Sequence, residues 1–158
     1  MLFLEFQIGA EAYVLDTAQI VEVLPLVSVK RIPQAPVGIA GLFNYRGRPV
    51  PAIDLSELML GRAAPRHRST RLILVRYGEH LLGLIAEQAT TTLQREALDF
   101  TDSGIANESA PYLGPVAQDG ARLIQWIEVH ELLPKSVSSV LFRQAEEALW
   151  PSPESQHS

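Results

Sequence analysis

Apolar and polar residues alternate from the first residues of the chain. Leu2, Leu4, Phe6 and Ile8 fall on one face with Glu5 and Gln7 on the other, which predicts a half-buried strand over residues 2–8. A Gly9-Ala10-Glu11 turn leads to a second strand in "AYVLD". Asp16 or Thr17 then caps a short helical piece, with Gln19 three residues after Asp16 as in a capping box, and Pro25 closes it. "RIPQAPVG", with Pro33 and Pro36, reads as an extended connector.

Next comes a hairpin. "GLFN" is a strand, "YRG" a tight turn in which Gly47 supplies a permissive backbone, and "RPVPAID" a returning strand. Proline donates nothing to a sheet ladder, so Pro49 and Pro51 place that strand at an edge or leave one side of it unpaired. Asp54 followed by Glu57 resembles a capping box, and Gly61 suits the helix end. The basic loop "RAAPRHRST" reads as a solvated linker between two halves of the chain, the alternative being an anion site.

The second half repeats the first. "LEFQIGAEAYVL" is echoed by "ILVRYGEHLLGL", with Gly9 matching Gly78. Gly41 and Gly47 have the spacing of Gly114 and Gly120; one inserted residue later, Asp54 to Leu58 matches Glu128 to Leu132. Short strands with a glycine at each bend suit two small closed barrels, because closure removes exposed edges. The expected organisation is an all-β unit over 1–134 of two pseudo-repeated barrels, about 1–65 and 70–134, with a groove between them. Val137, Val140, Leu141, Ala145, Ala148 and Leu149 recur at helical spacing and predict an amphipathic helix over 135–150, either completing the core or binding a partner. Residues 151–158 read as a disordered tail and 99–111 as a polar loop.

Composition narrows the function. With 158 residues the chain is enough for one domain or two very small ones. A mean hydropathy of +0.09 leaves little polar sequence for the surface, so exposed apolar partner patches are expected. A net charge of -5 argues against a nucleic-acid footprint. The absence of cysteine excludes disulfides, thiolate metal sites and thiol nucleophiles. "MLFLEFQIG" does not read as a signal peptide, and no apolar run reaches the roughly 18 residues of a membrane span, so the cytoplasm is the expected location. "HELLP" starts like a zinc-protease helix, but Pro134 stands where the second histidine is required. His67, His80, His130 and His157 lack ligand spacing, no phosphate-binding loop or nucleophile elbow occurs, and Asp99 with Asp102 read as solvated charges. No enzyme, metal or cofactor is indicated.

These residues carry a resemblance. "GAEAYVLDTAQIVEVL", "IPQAPVGIAGLFNYRGRPVPAIDLSEL" and "VRYGEHLLGLIAEQ" resemble the CheW-like family of bacterial chemotaxis coupling proteins over about residues 2–134. The resemblance implies two intertwined, SH3-like five-stranded barrels. It also implies a non-catalytic adaptor, cytoplasmic and recruited to receptor arrays. Such an adaptor joins the cytoplasmic tips of methyl-accepting chemoreceptor-type proteins to the regulatory domain of a CheA-like histidine autokinase, with no membrane insertion and no nucleic acid. Asn44, Arg46 and Gly47 match the family's Asn-x-Arg-Gly turn, in which the arginine braces the inter-barrel region and influences partner binding. Glu22 and Val23 match positions bordering the receptor-binding groove, although Val23 reads equally as core. Tyr45 stands where the family usually has Leu, and Ala86-Glu87 where it usually has Val-Asp, which implies a divergent member serving a dedicated, non-flagellar system. The other readings are an adaptor that competes for receptors without activating a kinase, and a small nucleic-acid-binding barrel.

Overall fold

The structure is a computed structural model and describes residues 1–102, 104 and 109–148. The expected tail, 151–158, lies outside them. Among the described residues nine strands follow one another: β1 (Leu2–Ile8), β2 (Glu11–Asp16), β3 (Ile20–Pro25), β4 (Ile39–Tyr45), β5 (Arg48–Asp54), β6 (Arg71–Tyr77), β7 (His80–Gln94), β8 (Leu113–Asp119) and β9 (Arg122–Ile127). Helix α1 (Leu55–Leu60) follows β5, and α2 (Lys135–Glu147) follows β9 and a single 3-10 turn, Val129–Glu131.

One local expectation fails. The helical piece after Asp16 is only the 3-10 turn Thr17–Gln19, capped by the Asp16 carboxylate at 3.0 Å from the Ala18 N–H, and "IVEVLP" is strand β3. Ile20, Val21 and Val23 are β-branched, and an extended backbone costs them less side-chain freedom than a helix does.

The strands sort into two barrels that exchange material. In barrel one, β7 pairs β1, β1 pairs β2, β2 pairs β9 in parallel and β9 pairs β8. In barrel two, β3 pairs β6, β6 pairs β7, β7 pairs β5 in parallel and β5 pairs β4. Strand β7 serves both, its residues up to Ala86 in barrel two and from Glu87 in barrel one, with Gln88 at a left-handed φ of 51° where it crosses. Each barrel is closed by an isolated bridge: Lys30 with Leu42 (2.7 and 2.8 Å), and Thr101 with Val116 (2.8 and 2.9 Å). A Cβ on Gly41 would sit 2.0 Å from the Lys30 carbonyl oxygen, so only glycine allows the first closure. The chain halves 1–65 and 70–134 are therefore repeats but not barrels. The first two strands of each half complete the barrel of the other.

This register also corrects the repeat. Leu42 corresponds to Val116 through the closing bridges, and Asp54 to Glu128 at the same interval, so no residue is inserted. Gly41 then corresponds to Pro115 in the repeat, and Arg46 to Gly120.

Three apolar cores follow from strands buried on both faces. Barrel two is filled by Phe43, Val50, Leu72, Leu74 and Ile85, and barrel one by Phe3, Val14, Ile124 and the packed rings of Phe3, Phe100 and Trp126. The largest core, including Leu4, Phe6, Ile8, Leu15, Ile53, Ile73, Val75 and Leu84, lies between the barrels and fills much of the expected groove. Phe3 thus faces the interior of barrel one while Leu4 and Phe6 face the other barrel. The single-faced reading of β1 was too simple. Helix α2 buries Ser138, Leu141, Phe142 and Ala145, one stripe at helical spacing, and leaves Val140 exposed. Leu141 and Phe142 join the central core, so α2 completes it.

Candidate functional site

The β4–β5 hairpin closes with Tyr45 opposite Arg48, leaving Arg46 and Gly47 as a two-residue loop. Both are left-handed, at φ 52° and 84°, the pattern of a type I′ turn, whose twist matches that of the strands. The Asn44 side-chain oxygen accepts the Gly47 N–H at 2.7 Å and holds the turn. Arginine in this conformation costs about 1 kcal/mol relative to glycine. Its counterpart in barrel one is Gly120, φ 64°. Pro49 and Pro51 lie outside the stretch of β5 that pairs with β7, where a missing N–H costs nothing.

Strand β3 brings the remaining site residues to this turn. Leu24 packs on the core of barrel two, while Val21 and Val23 point outward, Val23 being 40% exposed. Val23 is therefore surface, not core. Glu22 reaches the hairpin end, where its Oε2 accepts the Tyr45 hydroxyl at 2.9 Å and lies 3.6 Å from the Arg46 guanidinium. The guanidinium carbon stands 5.1 Å from the centre of the Tyr45 ring. Hydrogen bonding to Glu22 pushes the Tyr45 phenol up from its usual value, since ionising the phenol would set two anions side by side. The Arg46 side chain is 75% exposed and that of Glu22 39%. Both contacts of Arg46 belong to barrel two, so it ties β3 to the β4–β5 hairpin rather than bracing the region between barrels. Alternation within "IVEVL" carried the signal for this outward apolar row, but a helical reading of that segment hid it. Tyr45 was visible only as a departure from leucine.

The equivalent end of barrel one is built differently. Arg122 donates to both oxygens of Glu5, at 3.0 and 2.5 Å, and to Asp119 Oδ2 at 2.9 and 2.6 Å. Arg95 donates to Asp119 Oδ1 at 2.6 Å. Glu5 and Asp119 hold the Arg122 guanidinium firmly protonated, its pKa pushed up. Charge there is matched inside the molecule.

A cavity of about 800 Å³ opens where the barrels meet the start of α2, lined in part by Val37, Leu58, Tyr77, Tyr112 and Val137. The Tyr77 hydroxyl donates to the His130 and Leu133 carbonyl oxygens at 3.2 and 3.3 Å along its wall. Glu22, Val23, Asn44, Arg46 and Gly47 do not line it. Among the described residues, no group of three or more His, Asp or Glu is placed to hold a metal ion, and no helix is long and apolar enough to cross a membrane.

Paired small barrels that exchange strands define the fold class. The chain belongs to the CheW-like domain family, whose model matches residues 2–137. Members of this family are non-catalytic scaffold proteins of chemotaxis. The chain is 26% identical over 136 residues to the chemotaxis protein CheW of Helicobacter pylori, covering 84% of this chain and 81% of that one. It is 28% identical over 137 residues to the chemotaxis protein CheW of Klebsiella aerogenes, covering 83% and 80%. In fold it resembles the scaffolding protein TtCheW of Thermoanaerobacter tengcongensis, with a TM-score of 0.76 at 23% identity over 86% of this chain and 89% of that one.

Proposed function

We propose that this chain is a cytoplasmic adaptor coupling the tips of methyl-accepting chemoreceptor-type proteins to the regulatory domain of a CheA-like histidine autokinase at receptor arrays. The observation that supports this most is the β3 edge of barrel two, where Val21 and Val23 are exposed on the outward side of the strand and Glu22, from its other side, joins Tyr45 and Arg46 at the hairpin end. A receptor tip is a helical hairpin. A helix laid on such a face buries apolar side chains against the valines, while the charges select its orientation. Tyr45 in place of the family's usual leucine favours a dedicated, non-flagellar signalling system.

The test is a pull-down from the native cell with mass spectrometry, using the parent chain and Val23→Asp. Receptor and kinase are expected together in the parent eluate, with the receptor lost from that of Val23→Asp. An eluate from the parent chain containing neither partner contradicts the proposal. Glu22→Lys is expected to weaken receptor binding without unfolding the chain.

A further inference from the structure

Two donors compete for one carboxylate oxygen at the hairpin end, and they do not share it equally. The Tyr45 hydroxyl is at hydrogen-bond distance from Glu22 Oε2, 2.9 Å, whereas the Arg46 guanidinium stands off at 3.6 Å, an ion pair without a hydrogen bond. A guanidinium has five N–H donors in a planar fork suited to grip a carboxylate with two bonds. Arg46 is three-quarters exposed and leaves that fork unspent on Glu22. In barrel one Arg122, with no tyrosine between it and its acids, closes on Glu5 with two bonds and on Asp119 as well. Asp119 itself occupies the strand position that corresponds to Tyr45.

We infer that Tyr45 is a positioning residue whose hydroxyl holds Glu22 Oε2, the oxygen nearest Arg46, and so keeps the Arg46 guanidinium open to an acidic side chain of the partner. This rests on the reading of the barrel-two face as the partner surface. The guanidinium lies over the Tyr45 ring, its carbon 5.1 Å from the ring centre, and the ring holds it at the turn. A leucine here would provide neither hydroxyl nor ring face. Arg46 would then be free to fold onto Glu22, and the partner's acid would have to displace it. Tyr45 would thus select partners that carry a carboxylate beside an apolar stripe over partners that carry only the stripe.

Tyr45→Phe keeps the ring and removes the hydroxyl, and it is compared with Glu22→Gln and with the double variant. In the free protein, hydrogen exchange of the Arg46 Nε–H, followed by NMR, is expected to slow about threefold in Tyr45→Phe as the guanidinium closes on Glu22. That slowing should vanish in Tyr45→Phe/Glu22→Gln. Against the receptor-tip hairpin from the same genome, Tyr45→Phe is expected to lose about fivefold in affinity. The double variant should bind as Glu22→Gln does. Unchanged exchange in Tyr45→Phe overturns the inference whatever the partner is. An equal affinity loss in both backgrounds also overturns it, because the hydroxyl would then touch the partner directly. If the exchange slows as expected but the unaltered chain does not bind the hairpin, the receptor reading falls while the release of Arg46 by Tyr45 stands.

Discussion

The two hairpin ends share one backbone plan but handle charge in opposite ways. At the end of barrel one, the Glu5 side chain is only 12% exposed, and Arg122 and Arg95 meet Glu5 and Asp119 in short, charge-assisted bonds. At the end of barrel two, Arg46 stands out in solvent with a single loose ion pair, on a turn position where its repeat partner is glycine. One end satisfies its charges within the fold; the other keeps them for an external surface. Repeats that must co-fold can diverge in this manner because each barrel is closed by strands from both halves, leaving either hairpin tip open to specialisation.

Strand exchange gives the largest expected effect. Residues 1–68 alone retain β1 to β5 but lack β6 and β7, so neither barrel can close and both faces of β1 lose their cover. That fragment is expected to be aggregated or molten, and a sharp, dispersed amide NMR spectrum from it would show that the halves are independent domains.

The charge contrast comes next. Arg122→Ala strands the largely buried Glu5 carboxylate, a loss of about 2 kcal/mol once the half-exposed setting of the arginine is allowed for. Denaturant melts should show that loss while partner affinity stays within about twofold. A variant as stable as the parent would mean that the network is decoration.

The smallest effect is in pH. Tyr13, Tyr77 and Tyr112 are pushed up chiefly by burial and Tyr45 chiefly by its bond to Glu22. All four phenols therefore hold their protons more tightly folded than unfolded. That contribution to stability is fully present below about pH 10 and is lost as pH rises through the higher folded values. Glu22→Gln should lower the Tyr45 midpoint and leave the other three in place, as read by tyrosine-labelled NMR. Four unchanged midpoints would place the phenol away from Glu22.

Much of this was legible in the chain and some was not. The hairpin turns, the proline-marked strand, the Asp54 cap and the repeat all depend on local chemistry: glycine conformation, missing donors, short side-chain bonds. Exchange of strands between halves leaves no local trace, because β6 pairs as well with β3 as β1 does with β7. The glycine match misled by one residue, since Gly41 serves a close approach to Lys30 whereas Gly114 belongs one position earlier in the register. At the site, the motif marked Asn44, Arg46 and Gly47, but the junction of Glu22, Tyr45 and Arg46 is tertiary. It joins residues more than twenty positions apart and required β3 to be a strand.

Arg46→Asn separates the two roles of the turn most directly. Asn-Gly is the preferred pair for a type I′ turn, and an exposed ion pair contributes little, so folding should be as stable as the parent or better by roughly 1 kcal/mol. Calorimetric titration of this folded variant with the receptor tip and the kinase regulatory domain is expected to show at least a tenfold loss of affinity for one of them, about 1.4 kcal/mol. Unchanged affinity for both, in a chain that melts no lower than the parent, would contradict the assignment of the barrel-two hairpin end as a partner surface.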